Sequence, residues 1–357
     1  MYWVQGIFFT ELMSSHIQLK LKNICCLFLS VYIFVIKMIY KSAGIILMIC
    51  CSCLSKAQLV DNSSTFRNIQ KSSYFRFHYD NDYFTKSDEY YSQGITLEYV
   101  NPTIKKFLPA KLLWKPFKTT PQYGVTFNLF GYTPTSILSD DILYGDRPFN
   151  ANISLKTFLI QADSIHQQQV SSAFSIGIMG PAALGNEIQT NIHKWTKNPI
   201  PHGWQYQVKN DLILNYQVNY EKKLFTAGKH FLLNKTAELR LGTLNNKLST
   251  GFNLMAGRFN KRFTATNNKK RTEFYFYTQS RINFIGTDAS LQGGLFNRKS
   301  PYTIIGRDIT RVTYQADAGM IMNLKKFYLS YTQSYLTKEF VTGHYHRWGG
   351  ISMGFPL

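Results

Sequence analysis

From about residue 72 onward, apolar and polar side chains alternate along stretches of roughly 9–16 residues. A period of two is the period of a strand. In Glu273 to Phe284, the residues Phe274, Phe276, Ile282 and Phe284 fall on one face with Thr278 and Ser280. Glu273, Tyr275, Tyr277, Gln279, Arg281 and Asn283 fall on the other. Phenylalanine on one side and charge on the other suits a lipid-facing exterior and a wet interior. Val312, Tyr314, Ala316, Ala318, Met320 and Met322 alternate with polar or small residues in the same way. Ser172, Phe174, Ile176 and Ile178 alternate with Ala173, Ser175 and Gly177, which would point small side chains inward.

About thirteen such stretches can be counted, near 73–81, 90–100, 121–131, 149–162, 168–179, 207–222, 228–243, 246–260, 271–286, 288–296, 309–323, 326–337 and 345–355. Single-chain bacterial barrels have an even strand number. The short, Gly-rich stretch 288–296 is the one to set aside, which leaves twelve. A soluble β-sandwich would also alternate. Its strands are typically about 5–6 residues, whereas a tilted membrane-spanning strand needs about 9–11. The expected fold is therefore all-β, a transmembrane antiparallel β-barrel of twelve strands.

Composition agrees. Among 357 residues, 23 Tyr and 27 Phe supply strand-favouring side chains. All five cysteines (Cys25, Cys26, Cys50, Cys51, Cys53) lie before residue 57. The rest of the chain therefore holds no disulfide framework, thiolate zinc site or Cys nucleophile. The formal net charge is +20, but the cations are scattered, with Lys269-Lys270-Arg271 the one run. For an exported β-protein this points to anionic lipid headgroups rather than nucleic acid.

Residues 38–57 read as a signal peptide: Lys41, then apolar Ala43 to Leu54, then Ser55-Lys56-Ala57 as a small-x-small cleavage site. The apolar run Ile24 to Ile36 lies upstream. Both runs fall short of the ~20 residues of a helical span. Residues 1–37 are expected to be a misassigned extension, and 58–357 the barrel.

One segment breaks the alternation. Between Pro181 and Pro201, Asn186, Gln189, Thr190 and His193 follow i, i+3, i+4, i+7 spacing and share a helical face. Pro199 and Pro201 then stop the helix. A short helix is expected in this loop, over the mouth or against the wall.

Four groups of residues, in order, carry a resemblance: Asp80-Asn81-Asp82 at the end of the first strand; Tyr91-Ser92-Gln93-Gly94 on the second; Gly145-Asp146-Arg147-Pro148-Phe149 opening the fourth; and Gly180-Pro181, Gly185, Glu187, Gln189, His193, Gly203-Trp204 and Gln207 in the helix-bearing loop. In these the chain resembles the lipid A 3′-O-deacylases of Gram-negative outer membranes, twelve-stranded barrels that hydrolyse an ester-linked acyl chain. The resemblance spans essentially the whole mature region.

It implies a calcium-dependent carboxylic-ester hydrolase, with lipid A of lipopolysaccharide as substrate and the outer membrane as location. The chain would work as a monomer. His193 would be the base that activates water, since imidazole titrates near neutral pH. Asp82 with Asn81 would hold a hard cation through oxygen, with Ser92 beside them. Gln189 would support His193 from one helical turn away. Asp146 and Arg147 read better as an internal salt bridge than as catalysts. If Ile95, Leu97 and Tyr99 face lipid, strand parity points Ser92 inward, and parity with Phe75, Phe77 and Tyr79 points Asp82 inward too, with Asn81 at the rim.

There are departures. Where family members carry a glutamate shortly after the histidine, this chain reads Lys197-Asn198-Pro199. Where some carry a basic pair before the Gly-Asp-Arg motif, it has Asp140-Asp141. An outer-membrane phospholipase and a non-enzymatic, porin-like barrel therefore stay open as alternatives. No Gly-x-Ser-x-Gly elbow occurs, which speaks against a serine hydrolase of that type.

Overall fold

The computed structural model describes residues 62–85, 90–264 and 272–357; the expected signal peptide and the 1–37 extension lie outside them. The described residues form twelve strands: β1 (Tyr74–Asn81), β2 (Tyr90–Val100), β3 (Gln122–Thr133), β4 (Asn150–Asp163), β5 (Gln168–Met179), β6 (Asp211–Ala227), β7 (Phe231–Gly242), β8 (Asn245–Arg258), β9 (Glu273–Asp288), β10 (Val312–Asn323), β11 (Tyr328–Leu336) and β12 (His346–Pro356). Each pairs antiparallel with its sequence neighbour, and β1 pairs with β12 to close the barrel. Closure removes the sheet edge, so the backbone groups of every strand are bonded within the wall. The Gly-rich stretch set aside above holds a single helical turn, Ala289–Gln292. The loop helix is present as α1 (Gly185–Thr196).

The two faces follow the sequence. On β9, Phe274, Phe276, Ile282 and Phe284 stand 44–49% exposed, while Glu273, Tyr275, Tyr277, Gln279, Arg281 and Asn283 are buried. The exposed phenylalanines form a surface for lipid, and the polar set points into the lumen.

That lumen is filled. Arg76 meets Glu98 at 2.5 Å, both almost fully buried. Glu238 binds Arg240 (2.5 Å), Lys247 (3.3 Å) and Arg281 (3.5 Å), and Arg281 also reaches Asp317 (3.4 Å). The segment before β1 threads into the same space. Phe66 stacks on Tyr277 at 4.3 Å, and Arg67 donates to the Tyr277 hydroxyl at 2.9 Å. The Thr65 N–H donates to Glu221 at 2.7 Å, and Tyr275 donates to the Phe66 carbonyl at 2.6 Å. A small polar cleft remains beside this plug, lined by Asn62, Ser63, Glu98, Lys156 and Asn219 among others.

The opposite end is capped by folded loops. Tyr90, Ile285, Leu291, Ile304, Ile309 and Phe340 form a buried apolar cluster there. Arg147 ties three loops together. It pairs with Glu339, donates to the Ser290 hydroxyl at 2.8 Å and lies 4.2 Å from the Tyr132 ring centre. Burial opposes its charge, but the Glu339 carboxylate beside it prevails and holds the guanidinium above its ordinary range. Long connections gather at this end (134–149, 180–210, 289–311), whereas 164–167, 228–230 and 324–327 at the other end are short. In barrels of this kind the long loops face outward from the cell.

A lumen stopped at both ends should not conduct. In planar bilayers the purified chain is expected to give no steady ion current, and a stable open conductance would contradict the packing described. Removing one partner of a buried ion pair costs about 3–5 kcal/mol. Glu98→Ala should accordingly lower the temperature at which the folded band converts to the unfolded band in gel electrophoresis, more than Glu187→Ala on the exposed face of α1.

Candidate functional site at the outward rim

The rim site begins with an irregularity in β2. Tyr91 pairs with Tyr132 and Gln93 with Gly131, so Ser92 is the extra residue of a β-bulge. A bulge shifts which residues face which side. Tyr91 turns into the lumen, where its ring lies 4.8 Å from Trp348 and its hydroxyl reaches Asp80 at 3.4 Å. Ser92 therefore turns outward, which corrects the inward placement that simple parity gives. Its hydroxyl meets that of Thr133 at 2.6 Å.

Asn81 ends β1 on the same outward side. Its amide nitrogen donates to the Ser92 carbonyl at 2.6 Å and to the Tyr79 hydroxyl at 3.2 Å. Asp82 is buried and opens the 3-10 turn Asp82–Thr85, where strand parity ends. That turn folds over the outer face: Phe84 packs edge-on against Tyr79 at 6.2 Å and occupies the space beside Gly349. Asn81, Asp82 and Ser92 are thus neighbours at the rim, joined through Asn81.

His193 arrives from the loop between β5 and β6. Gly185 starts α1 where a Cβ would come within 2.4 Å of the Ala151 side chain and 2.6 Å of the Trp204 ring. Glycine permits this close approach. Ala151 belongs to the outward-facing set of β4 and Phe149 immediately precedes the strand; Trp204 packs with both, its ring 5.0 Å from Phe149. The helix therefore lies against the outer wall, not over the mouth. Gln189 is buried and accepts from the Trp204 indole N–H at 2.6 Å. That bond fastens α1 to its loop; orientation of His193 comes from elsewhere.

It comes from the turn after the helix. Lys197 takes a left-handed conformation (φ 58°), and the Asn198 N–H returns to the His193 carbonyl at 2.9 Å. This swings the Pro199 carbonyl onto His193 Nδ1 at 2.5 Å. A carbonyl only accepts, so Nδ1 carries the proton and the lone pair lies on Nε2. Pro199 reads from sequence only as a helix stop; its carbonyl as the orienting group depends on the turn and could not be read there. Asp146 serves structure, accepting from the Thr135 N–H at 2.9 Å and the Thr135 hydroxyl at 2.6 Å, and Arg147 is the loop clamp described above.

Sequence reasoning also missed a second constellation. His78 Nδ1 lies 2.6 Å from Ser352 Oγ, and Nε2 lies 2.6 Å from Asp80 Oδ1. Only the β1–β12 closure, which sets His78 opposite Ser352, brings them together. The bonding resembles a serine nucleophile with its base. All three side chains are buried and face the lumen, where no lipid ester reaches Ser352. They brace the seam of the barrel.

Among the described residues, no three His, Cys, Asp or Glu side chains gather as a metal cluster. The donors at the rim are oxygens of another kind. Asp82 has a carboxylate, Asn81 an amide oxygen and Ser92 a hydroxyl. An all-oxygen set with one negative charge is compatible with a hard cation that completes its shell with water and backbone.

The model of the outer membrane protein LpxR family matches residues 45–357. The chain belongs to the LpxR family. LpxR from Salmonella typhimurium superposes with a TM-score of 0.64 at 17% identity, over 80% of this chain and 100% of that one, which shows the shared fold. The β domain of the Bordetella autotransporter Brka matches at a TM-score of 0.40 and 8% identity, over 80% of this chain and 99% of that one. No curated protein matches the chain. Family membership makes this an outer membrane barrel.

The seating of α1 can be tested alone. Gly185→Val should push the helix off Ala151 and Trp204 while leaving barrel closure intact. The expected result is unchanged heat-modifiability on gels with faster proteolysis within 181–207. Unchanged proteolysis would mean that the close approach at Gly185 does not hold the helix.

Proposed function

We propose that this chain is a lipid A deacylase of the LpxR type, hydrolysing an ester-linked acyl chain, by family resemblance the one at the 3′-O position. The observation that carries the proposal is the outward turn of Ser92 and Asn81 together with α1 lying on the outer wall of β4. Ser92 and β4 are separated by β3 alone, about 10 Å at the usual strand spacing. Substrate held in the outer leaflet meets this surface directly, without entering the barrel.

In this reading His193 Nε2 takes the proton from the attacking water, and the Pro199 carbonyl keeps the ring in the required tautomer. Asp82 and Asn81 would hold a calcium ion. When bound, it would supply Lewis-acid polarisation of the ester carbonyl. Ser92, fixed by Thr133, lines the wall between them and orients the reacting ester. The Pro199 carbonyl does the orienting work for which a carboxylate after the histidine would otherwise be needed. The chain acts as a monomer, since every part of the site comes from one barrel.

The filled lumen speaks against the porin-like alternative. A phospholipase would use the same groups, and substrate alone separates it from the lipid A reading.

Mass spectrometry of lipid A from cells expressing the chain should show loss of one ester-linked acyl group. His193→Ala should slow this by about 10²–10⁴-fold, the usual contribution of a general base. Unchanged lipid A, from protein shown to be folded, would overturn the proposed substrate. A calcium chelator should stop the reaction and added calcium restore it, whereas full activity in chelator would remove the metal from the account.

A further inference from the structure

The opposite end of the barrel carries a feature the rim chemistry does not use. The connection from β2 to β3, residues 101–121, is the longest at this end. It folds as two 3-10 turns, Pro102–Lys106 and Leu108–Leu112. Ile104, Ala110 and Leu113 bury themselves against Tyr123, Val125, Leu159 and Phe174, all outward-facing positions of β3, β4 and β5. The segment is therefore strapped across the outside of the wall.

Its backbone is satisfied by polar side chains on that wall. Ser172 donates to the Trp114 carbonyl at 3.0 Å, and Gln161 donates to the Phe117 and Thr119 carbonyls at 2.7 and 2.8 Å. The Tyr216 hydroxyl accepts from the Trp114 N–H at 2.9 Å and donates to the Leu112 carbonyl at 3.1 Å. Irregular backbone beside lipid requires such partners. Ser172 and Gln161 on an otherwise apolar outer face are explained by this strap.

The strap's own outer surface has two chemistries. Phe107, Leu108, Leu112 and Trp114 stand 53–74% exposed. Lys105, Lys106, Lys111, Lys115 and Lys118 are exposed as well, and no acidic residue lies between 101 and 121. Apolar side chains continuous with a lipid-facing wall, bordered by cations alone, fit the boundary between acyl chains and anionic headgroups.

We propose that residues 102–118 form a membrane foot that binds anionic phospholipid in the periplasmic leaflet. Phe107, Leu108, Leu112 and Trp114 insert among the acyl chains, and the five lysines hold headgroup phosphates. The foot fixes the height of the barrel in the bilayer, and with it the level of the rim at the far end. This inference does not depend on the rim's chemistry.

The test uses the full chain reconstituted in phosphatidylcholine vesicles with and without phosphatidylglycerol, some carrying brominated acyl chains. The fluorescence of Trp114 is isolated by difference from Trp114→Phe. Brominated lipid should quench the Trp114 component, and aqueous iodide should not. Replacing the five lysines by glutamine should reduce the phosphatidylglycerol retained on the detergent-purified barrel several-fold, with heat-modifiability unchanged. Quenching by iodide but not by brominated lipid would overturn the proposal. So would protection from both together with a dimeric mass, which would assign the surface to a second copy of the chain. Equal phosphatidylglycerol retention by the lysine variant, folded as judged on gels, would overturn the headgroup assignment.

Discussion

Everything here depends on the pairing of β1 with β12. In hydrocarbon an unpaired strand edge leaves a row of backbone groups with no partner, each costing several kcal/mol. The register Tyr74↔Pro356 to Asn81↔Gly349 removes that edge. It also sets Ser352 against His78, and so builds the buried brace with Asp80. Once the wall is closed, each side chain has two destinations, and the choice between them determines the rest of the structure.

The inward destination is occupied by structural work. Ion pairs, the segment around Phe66 and the loop clamp at Arg147 leave no open channel among the described residues. The proposed function accordingly uses the outward side of the rim. A bulge of one residue at Ser92 makes this possible, since regular alternation would have turned its hydroxyl into the filled lumen. Gly185 lets α1 approach the wall, and the left-handed Lys197 returns the chain so that a carbonyl meets His193. In the proposed reading, these three local departures from regular structure assemble a lipid-facing site on a wall that is otherwise regular.

How far the sequence revealed this follows from the range of the interactions. Alternation is local, so thirteen candidate stretches and their faces could be read directly, and the even strand number of such barrels then removed the Gly-rich 288–296. The helix around Gln189 and His193 was legible for the same reason. Ser92 was misassigned because a bulge depends on how two strands pair, not on either alone. Gln189 looked like a partner for His193 by spacing, yet the indole of Trp204, fifteen residues away, takes its oxygen. The His78–Ser352 contact spans 274 residues and exists only through closure. Asp146 and Arg147 read as an internal salt bridge, but Arg147 pairs instead with Glu339 and reaches Ser290, in two other loops, while the Asp146 carboxylate holds Thr135 of its own loop.

In the proposed function, lipid meets this protein on the outer wall beside α1 and not inside the barrel. Site-specific photocrosslinking tests it most directly. A photoreactive side chain is placed at Trp195, exposed on α1, and separately at Thr313 in the lumen, in cells with radiolabelled lipid A. The account requires a lipid A adduct at position 195 and none at 313. Adducts at 313, or at neither position from correctly folded barrels, would contradict it.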